Sequence, residues 1–167
     1  MSQTMNAAHV SAIDALHTAY LAALDKGDMA GWAATFAVDE ARYFCISAEN
    51  DRRGLPLALM YDDCRGRIDD RVSFVTKVWV GTYQPYRMRH FTQRLSVSPA
   101  GASSYAVTSG FTIMMTPEGG STQVLTSGEY RDLIDIQGEG DHCRAVFRER
   151  RAVYDSDVLP RYIVFPF

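Results

Sequence analysis

Near the N-terminus, Ile13, Leu16, Tyr20, Leu21 and Leu24 recur three and four residues apart, the spacing that gathers side chains on one helix face. Gly27 follows Lys26 and suits the left-handed C-terminal cap of that helix. Asp28 is then placed to cap a short second helix carrying Met29, Trp32 and Phe36. The run ARYFC, 41–45, reads as a strand, and the polar SAENDRRG that follows reads as an exposed loop. Asp62 and Asp63 stand where negative charge favours the start of a third helix. Ile68, Val72, Val75 and Trp79 give that helix its apolar stripe, and Gly81 and Pro85 end it.

After Pro85 the period falls from about four residues to two. Strands are predicted over roughly 88–98, 103–116, 122–136 and 143–155. Turn residues fill each gap: Pro99-Ala100-Gly101, Pro117-Glu118-Gly119-Gly120 and Gln137-Gly138-Glu139-Gly140. Sequential strands joined by such turns pair antiparallel. Helices followed by a strand meander define an α+β class. Three N-terminal helices packed on a long curved antiparallel sheet resemble the NTF2-like cone, the fold shared by nuclear transport factor 2 and ketosteroid isomerase. The chain, 1–167, reads as a single domain of this kind, without linker, repeat or low-complexity segment.

Composition narrows the classes. The 167 residues are 47% apolar and 22% charged, ordinary for a globular domain with one core. A net charge of −3 gives no electrostatic case for nucleic acid. No apolar run reaches the ~18 residues of a membrane span, and MSQTMNAAHV lacks the charged and apolar regions of a signal peptide. Three scattered cysteines, Cys45, Cys64 and Cys143, suit free thiols in a reducing cytoplasm. In 103–116 one face carries Tyr105, Val107, Phe111, Ile113 and Met115, while the other is nearly uncharged. The tail Tyr162-Ile163-Val164-Phe165-Pro166-Phe167 is apolar and is expected to dock on this subunit or a neighbour. Together these features favour an oligomer.

YRMRHF, 86–91, is the densest candidate for chemistry. It could bind a carboxylate, ligate a metal through His90, run acid–base catalysis or serve as a structural ion-pairing strand. Metal binding finds little support: no Cys-x-His occurs, His142 and Cys143 point to opposite faces of a strand, and His9 and His17 lack a third ligand nearby. There is no Gly-x-Ser-x-Gly elbow, no recognisable catalytic cysteine and no phosphate loop. An acid–base site would need a histidine or carboxylate facing the cone cavity. Strand alternation groups Arg87, Arg89, Phe91, Leu95 and Val97, the more apolar set, against Met88, His90, Thr92, Arg94 and Ser96. On that parity His90 faces away from the cavity and serves a subunit contact, unless a β-bulge reverses it. Arg89 would face inward and need a carboxylate, with Asp62, Asp63, Asp69, Asp70, Glu129 and Asp132 as candidates. Arg144, Arg148 and Arg150 share one face of the last strand, as an anion site or, more commonly, as cross-strand or subunit ion pairs. Asp62-Asp63 could be a catalytic carboxylate pair; the reading as a helix N-terminus is preferred on dipole grounds.

In this order and spacing, Tyr61-Asp62-Asp63, Asp70-Arg71-Val72, Trp79 and Arg87-Met88-Arg89-His90-Phe91 resemble the small (beta) subunit of aromatic-ring-hydroxylating dioxygenases. Ser127-Gly128-Glu129-Tyr130-Arg131-Asp132, the Arg148-to-Arg151 strand and Val153-Tyr154-Asp155-Ser156 continue the likeness over nearly the whole chain. Gly54-Leu55-Pro56-Leu57 and the tail are most similar to the salicylate 5-hydroxylase, terephthalate and anthranilate or benzoate branch. The resemblance implies a cytoplasmic α3β3 hexamer in which this subunit is mainly structural and self-associates as a trimer. A large alpha subunit would hold a Rieske 2Fe–2S cluster and mononuclear Fe(II), fed from NAD(P)H through a reductase. The complex would act on benzoate-, salicylate- or phenylpropionate-like compounds. No catalytic, cofactor or metal residue is carried over; Asp62, Asp63, Asp70, Arg71, Arg87, Arg89, His90, Tyr154 and Asp155 are structural or interface candidates. The competing readings are a stand-alone cone-fold dehydratase or isomerase and a small-molecule-binding module.

Overall fold

The computed structural model describes residues 6–167. Helix α1 (Ala7–Lys26) is opened by the Asn6 side chain, which accepts from the Ala8 amide, and closed by Gly27 at φ 72°. Only a residue tolerant of the left-handed region ends a helix this way without strain. Asp28 caps α2 (Met29–Ala33) by accepting from the Gly31 amide at 2.8 Å. Both caps are where the sequence places them. Strand β1 (Arg42–Ser47) follows, then a short helix α3 (Ala48–Arg52) inside the stretch expected to be loop. Ser47 caps α3 with its hydroxyl.

The next segment departs from expectation. Asp62 does not start a helix; it ends a three-residue strand, β2 (Met60–Asp62). Helix α4 (Arg65–Ser73) begins later and passes into a π-helical turn over Phe74–Val78. A strand was missed here because three residues carry too little period to detect.

The four long strands are β3 (Tyr86–Pro99), β4 (Ser104–Pro117), β5 (Gln123–Gln137) and β6 (Arg144–Tyr154). The sheet order is β2-β1-β6-β5-β4-β3. Neighbours are antiparallel except β1, which runs parallel to β6. The sheet is therefore mixed rather than purely antiparallel. Helix α1 packs on its inner face against β3, β5 and β6. The core fills the space between, with Ile13, Tyr20, Trp32, Phe36, Tyr43, Ile113, Tyr130 and Phe147 among its buried members. The tail docks on its own subunit: Ile163, Val164 and Phe167 are buried, and Tyr86 accepts from the Val164 and Phe165 amides. No helix among the described residues is long and apolar enough to cross a membrane.

Candidate functional site

Two bulges decide which of the candidate side chains enter the cone. On β6, Phe147 pairs with Ile134 and Glu149 with Leu133, so Arg148 is an extra residue. Alternation then restarts one position later, so Arg148 stays outward while Arg150 turns inward. The expected grouping of Arg144, Arg148 and Arg150 on one face is therefore wrong. Arg144 is exposed, Arg148 pairs with Asp135 at 2.8 Å on the outer face, and Arg150 is fully buried.

Arg150 organises the interior. Its Nε and Nη2 donate to the two oxygens of Asp132 at 3.0 and 3.1 Å. Its guanidinium lies 4.1, 3.9 and 4.3 Å from the ring centroids of Tyr20, Tyr130 and Phe147. Burial works against the charge, but Asp132 and the two phenols offset it and raise the Arg150 pKa. His17, on α1, brings Nε2 to 3.2 Å from Asp132 Oδ2 without the alignment of a hydrogen bond. Burial pushes the Tyr20 phenol up to about 12 and those of Tyr43 and Tyr130 well above their ordinary value. Phe167 closes this end: its carbonyl accepts from Tyr20, its amide donates to Tyr43 at 2.9 Å, and its ring packs edge-on to Tyr154.

The sequence reading missed this cluster, although its signals were present. His17 lies four residues after Ile13 and three before Tyr20, on the apolar face of α1. Asp132 shares the parity of Tyr130, Ile134 and Ile136. An acid in the inward register of a strand calls for a buried base.

The expected parity of β3 is reversed. Tyr86, Met88 and His90 are buried, while Arg87, Arg89 and Phe91 face out. The two sets were ranked by averaging along the strand, but a bulge at Leu95, between Arg94 and Ser96, exchanges the faces midway. His90 is consequently no surface contact: Nδ1 meets Asp25 Oδ1 of α1 at 2.7 Å, and its side chain is completely covered. Arg89 is not an inward guanidinium; it is largely exposed and reaches Asp25 only at 4.0 Å.

The remaining candidates separate in space. Asp62 is bound by both arms of Arg71, with Nη2 at 2.7 Å, and these bonds hold the Arg71 pKa up against burial. Asp63 pairs with Arg67 at 3.3 Å. Asp70 and Arg87 are exposed and have no ion pair among the described residues. Tyr154 is partly buried, and Asp155 joins β5 through Ser127, whose hydroxyl donates to it at 3.2 Å. The structure thus brings Asp62 to Arg71 and His90 to Asp25, and it does not assemble the candidates into one site.

The donor set fits no metal. No three His, Cys, Asp or Glu side chains converge among the described residues, and Asp132, beside His17, is already bonded to a guanidinium. The resemblance places its iron in the alpha subunit rather than in this chain.

Comparisons with known proteins agree with this picture. Over 155 residues the chain is 27% identical to the beta 2 subunit of the terminal oxygenase component of terephthalate 1,2-dioxygenase from Comamonas sp, covering 92% of this chain and 96% of that one. A crystal structure of the beta subunit assigned to an aromatic-ring-hydroxylating dioxygenase of Novosphingobium aromaticivorans superposes with a TM-score of 0.78 at 27% identity, covering 92% of this chain and 93% of the other. A protein of the same organism assigned as a scytalone dehydratase shares the fold alone, with a TM-score of 0.63 at 15% identity over 92% and 89% of the two chains. A sequence model described as "Ring hydroxylating beta subunit" matches residues 20–161. That match spans Asp62, Arg71, His90, Asp132 and Arg150, and the chain belongs to the ring-hydroxylating beta subunit family.

Proposed function

We propose that this chain is the structural beta subunit of an aromatic-ring-hydroxylating dioxygenase and holds no catalytic centre of its own. Family membership implies an alpha subunit as partner and iron cofactors in that subunit. The finer reading is a cytoplasmic α3β3 assembly in which a trimer of this single-domain chain supports three large subunits. Those subunits would carry the Rieske cluster and mononuclear Fe(II), with electrons arriving from NAD(P)H through a reductase. The substrate class is an aromatic acid such as terephthalate, as the name of the Comamonas relative suggests.

The observation that carries the structural role is the filling of the cone. Where an acid–base enzyme of this fold needs an open cavity, Arg150, its aromatic cage and Phe167 occupy the space, with Arg150 bonded to Asp132 and the Phe167 amide to Tyr43. His90 does face inward, oriented by Asp25, which is what a dehydratase or isomerase would want. Its ring is completely covered, however, and the adjacent pocket lined by Asp25 and Met88 does not reach it.

The test is reconstitution. The chain purified alone is expected to bind no stoichiometric iron and to turn over no aromatic acid. Co-expressed with a large subunit encoded beside it, it should co-purify and be required for ring hydroxylation. Turnover or stoichiometric iron in the isolated chain contradicts the reading.

A further inference from the structure

Six exposed large apolar residues fall in two short segments, Leu57, Leu59 and Tyr61 before and at β2, then Phe74, Val78 and Val80 around the π-helical turn. Between them lies a cavity of about 330 Å³. Tyr61, Phe74 and Trp79 supply its apolar lining, the Asp62–Arg71 pair its inner polar lining, and Asp70 and Arg67 an exposed carboxylate and guanidinium. The other acids of this region are occupied: Asp62 by Arg71, Asp63 by Arg67 and Asp69 by Arg65. Asp70 alone among them has no ion pair among the described residues.

The opposite edge of the sheet carries the converse features. β3 is an edge strand, and the order β2-β1-β6-β5-β4-β3 puts it as far from β2 as the sheet allows. Its outer face presents Phe91 at 62% exposure, with Leu95 also exposed. Arg87 and Arg89 stand four and two residues before Phe91 on the same face. Arg87 has no ion pair among the described residues, and Arg89 only the 4.0 Å contact with Asp25. A long edge strand with unpaired backbone groups and an exposed phenyl ring is a surface that proteins ordinarily cover.

We propose that these two edges are complementary halves of one head-to-tail contact between copies of this chain, with Phe91 of one copy entering the Tyr61–Phe74–Trp79 cavity of the next and Arg87 meeting Asp70 at its rim. A knob and a hole on different parts of one molecule make a heterologous interface, which forms a ring when the rotation closes. The occupant is a second copy because Arg87, on the face of the knob, and Asp70, at the hole, each lack an ion pair among the described residues, while Arg67 at the hole is taken by Asp63. The proposal rests on the self-association reading above and assigns it a surface.

Sedimentation of the full-length chain at low and moderate salt, alone and in complex with the large subunit, tests it. The wild type is expected to sediment as a trimer. Asp70→Arg and Arg87→Asp each place like charges at the contact and should weaken association at least tenfold, with near-native circular dichroism because both residues are exposed. The double reversal, Asp70→Arg with Arg87→Asp, should restore the trimer. Phe91→Ser should weaken it independently of salt. A trimeric wild type unmoved by either reversal overturns the surface and leaves self-association standing. A chain that is monomeric alone, and present in single copies in the complex, overturns both. Single reversals that weaken the trimer without rescue in the double overturn the Asp70–Arg87 pairing. Reversals that release the large subunit while the trimer persists give the hole to that partner and also overturn the proposal.

Discussion

Arg150 is enclosed among three aromatic rings, while Phe91, on the same sheet, leaves 62% of its surface to solvent. The interior of the cone holds a guanidinium and carboxylate; its lateral edges hold phenyl, indole and isobutyl groups. Each placement opposes the usual partition of residue types. Inside, the charges are bonded to one another and covered, so the polar groups serve to fix one packing of α1, β5 and β6. Outside, the apolar groups are left uncovered, and the contact proposed above falls there. A cone-fold enzyme would instead turn its polar groups to an open cavity.

The largest expected effect comes from unbalancing the interior. Asp132→Ala leaves Arg150 buried and unpaired and should cost ~3–5 kcal/mol of stability. Replacing both residues by apolar ones of similar volume should recover much of that loss. Urea unfolding of the single and double variants measures both; a single variant within ~1 kcal/mol of wild type would erase the contrast.

Alkaline pH probes the same region. Tyr20, Tyr43 and Tyr130 are held protonated by burial, Tyr20 up to about 12 from an ordinary 10.0. A phenol whose folded pKa exceeds its unfolded one stabilises fully below the unfolded value, and that stabilisation is lost as pH rises through the folded one. Stability should therefore fall from pH 10 toward pH 12, on the order of 3 kcal/mol for Tyr20 alone. Ionisation of these phenols, read by tyrosinate absorbance, should coincide with loss of far-UV circular dichroism. Ionisation with the fold intact would show the cage to be open to water.

A smaller effect is expected at His90. With its bond to Asp25 inside the subunit, His90→Ala should lower stability by ~1–3 kcal/mol and leave the oligomer's size unchanged. An unchanged melting temperature with a dissociated oligomer would return His90 to the interface. The smallest effect belongs to Asp135→Ala on the outer face. Its pKa is lowered by the Arg148 and Ser104 bonds, which outweigh the opposing effect of burial. Because the pair is partly solvated, its loss should cost under ~1 kcal/mol by thermal unfolding.

The long strands were legible because 11 to 15 residues of alternation average out local exceptions. Both caps at 27–28 were legible because glycine and aspartate have specific backbone and hydrogen-bonding reasons to be there. What alternation cannot supply is its own phase after a bulge. Leu95 and Arg148 each add one residue, and each reverses the facing of everything beyond it relative to a regular strand. His90, Arg89 and Arg150 were misplaced for that one reason. The Asp62–Arg71 bond escaped for another: it joins a three-residue strand to a helix across a turn, where no period runs.

The parallel pairing of β1 with β6 has a consequence in time. Arg42 through Ser47 align with Glu149 through Tyr154, so the first strand to leave the ribosome is joined to the sheet only by the last. The meander β3-β4-β5 can zip locally as it emerges, but β1 and β2 have only each other until β6 is made. Synthesis thus leaves Tyr43, Cys45 and Met60, all buried in the finished cone, waiting through some hundred residues of translation for their cover. Final closure should be the slow step of folding, and the growing chain is most in need of a chaperone just before that strand appears.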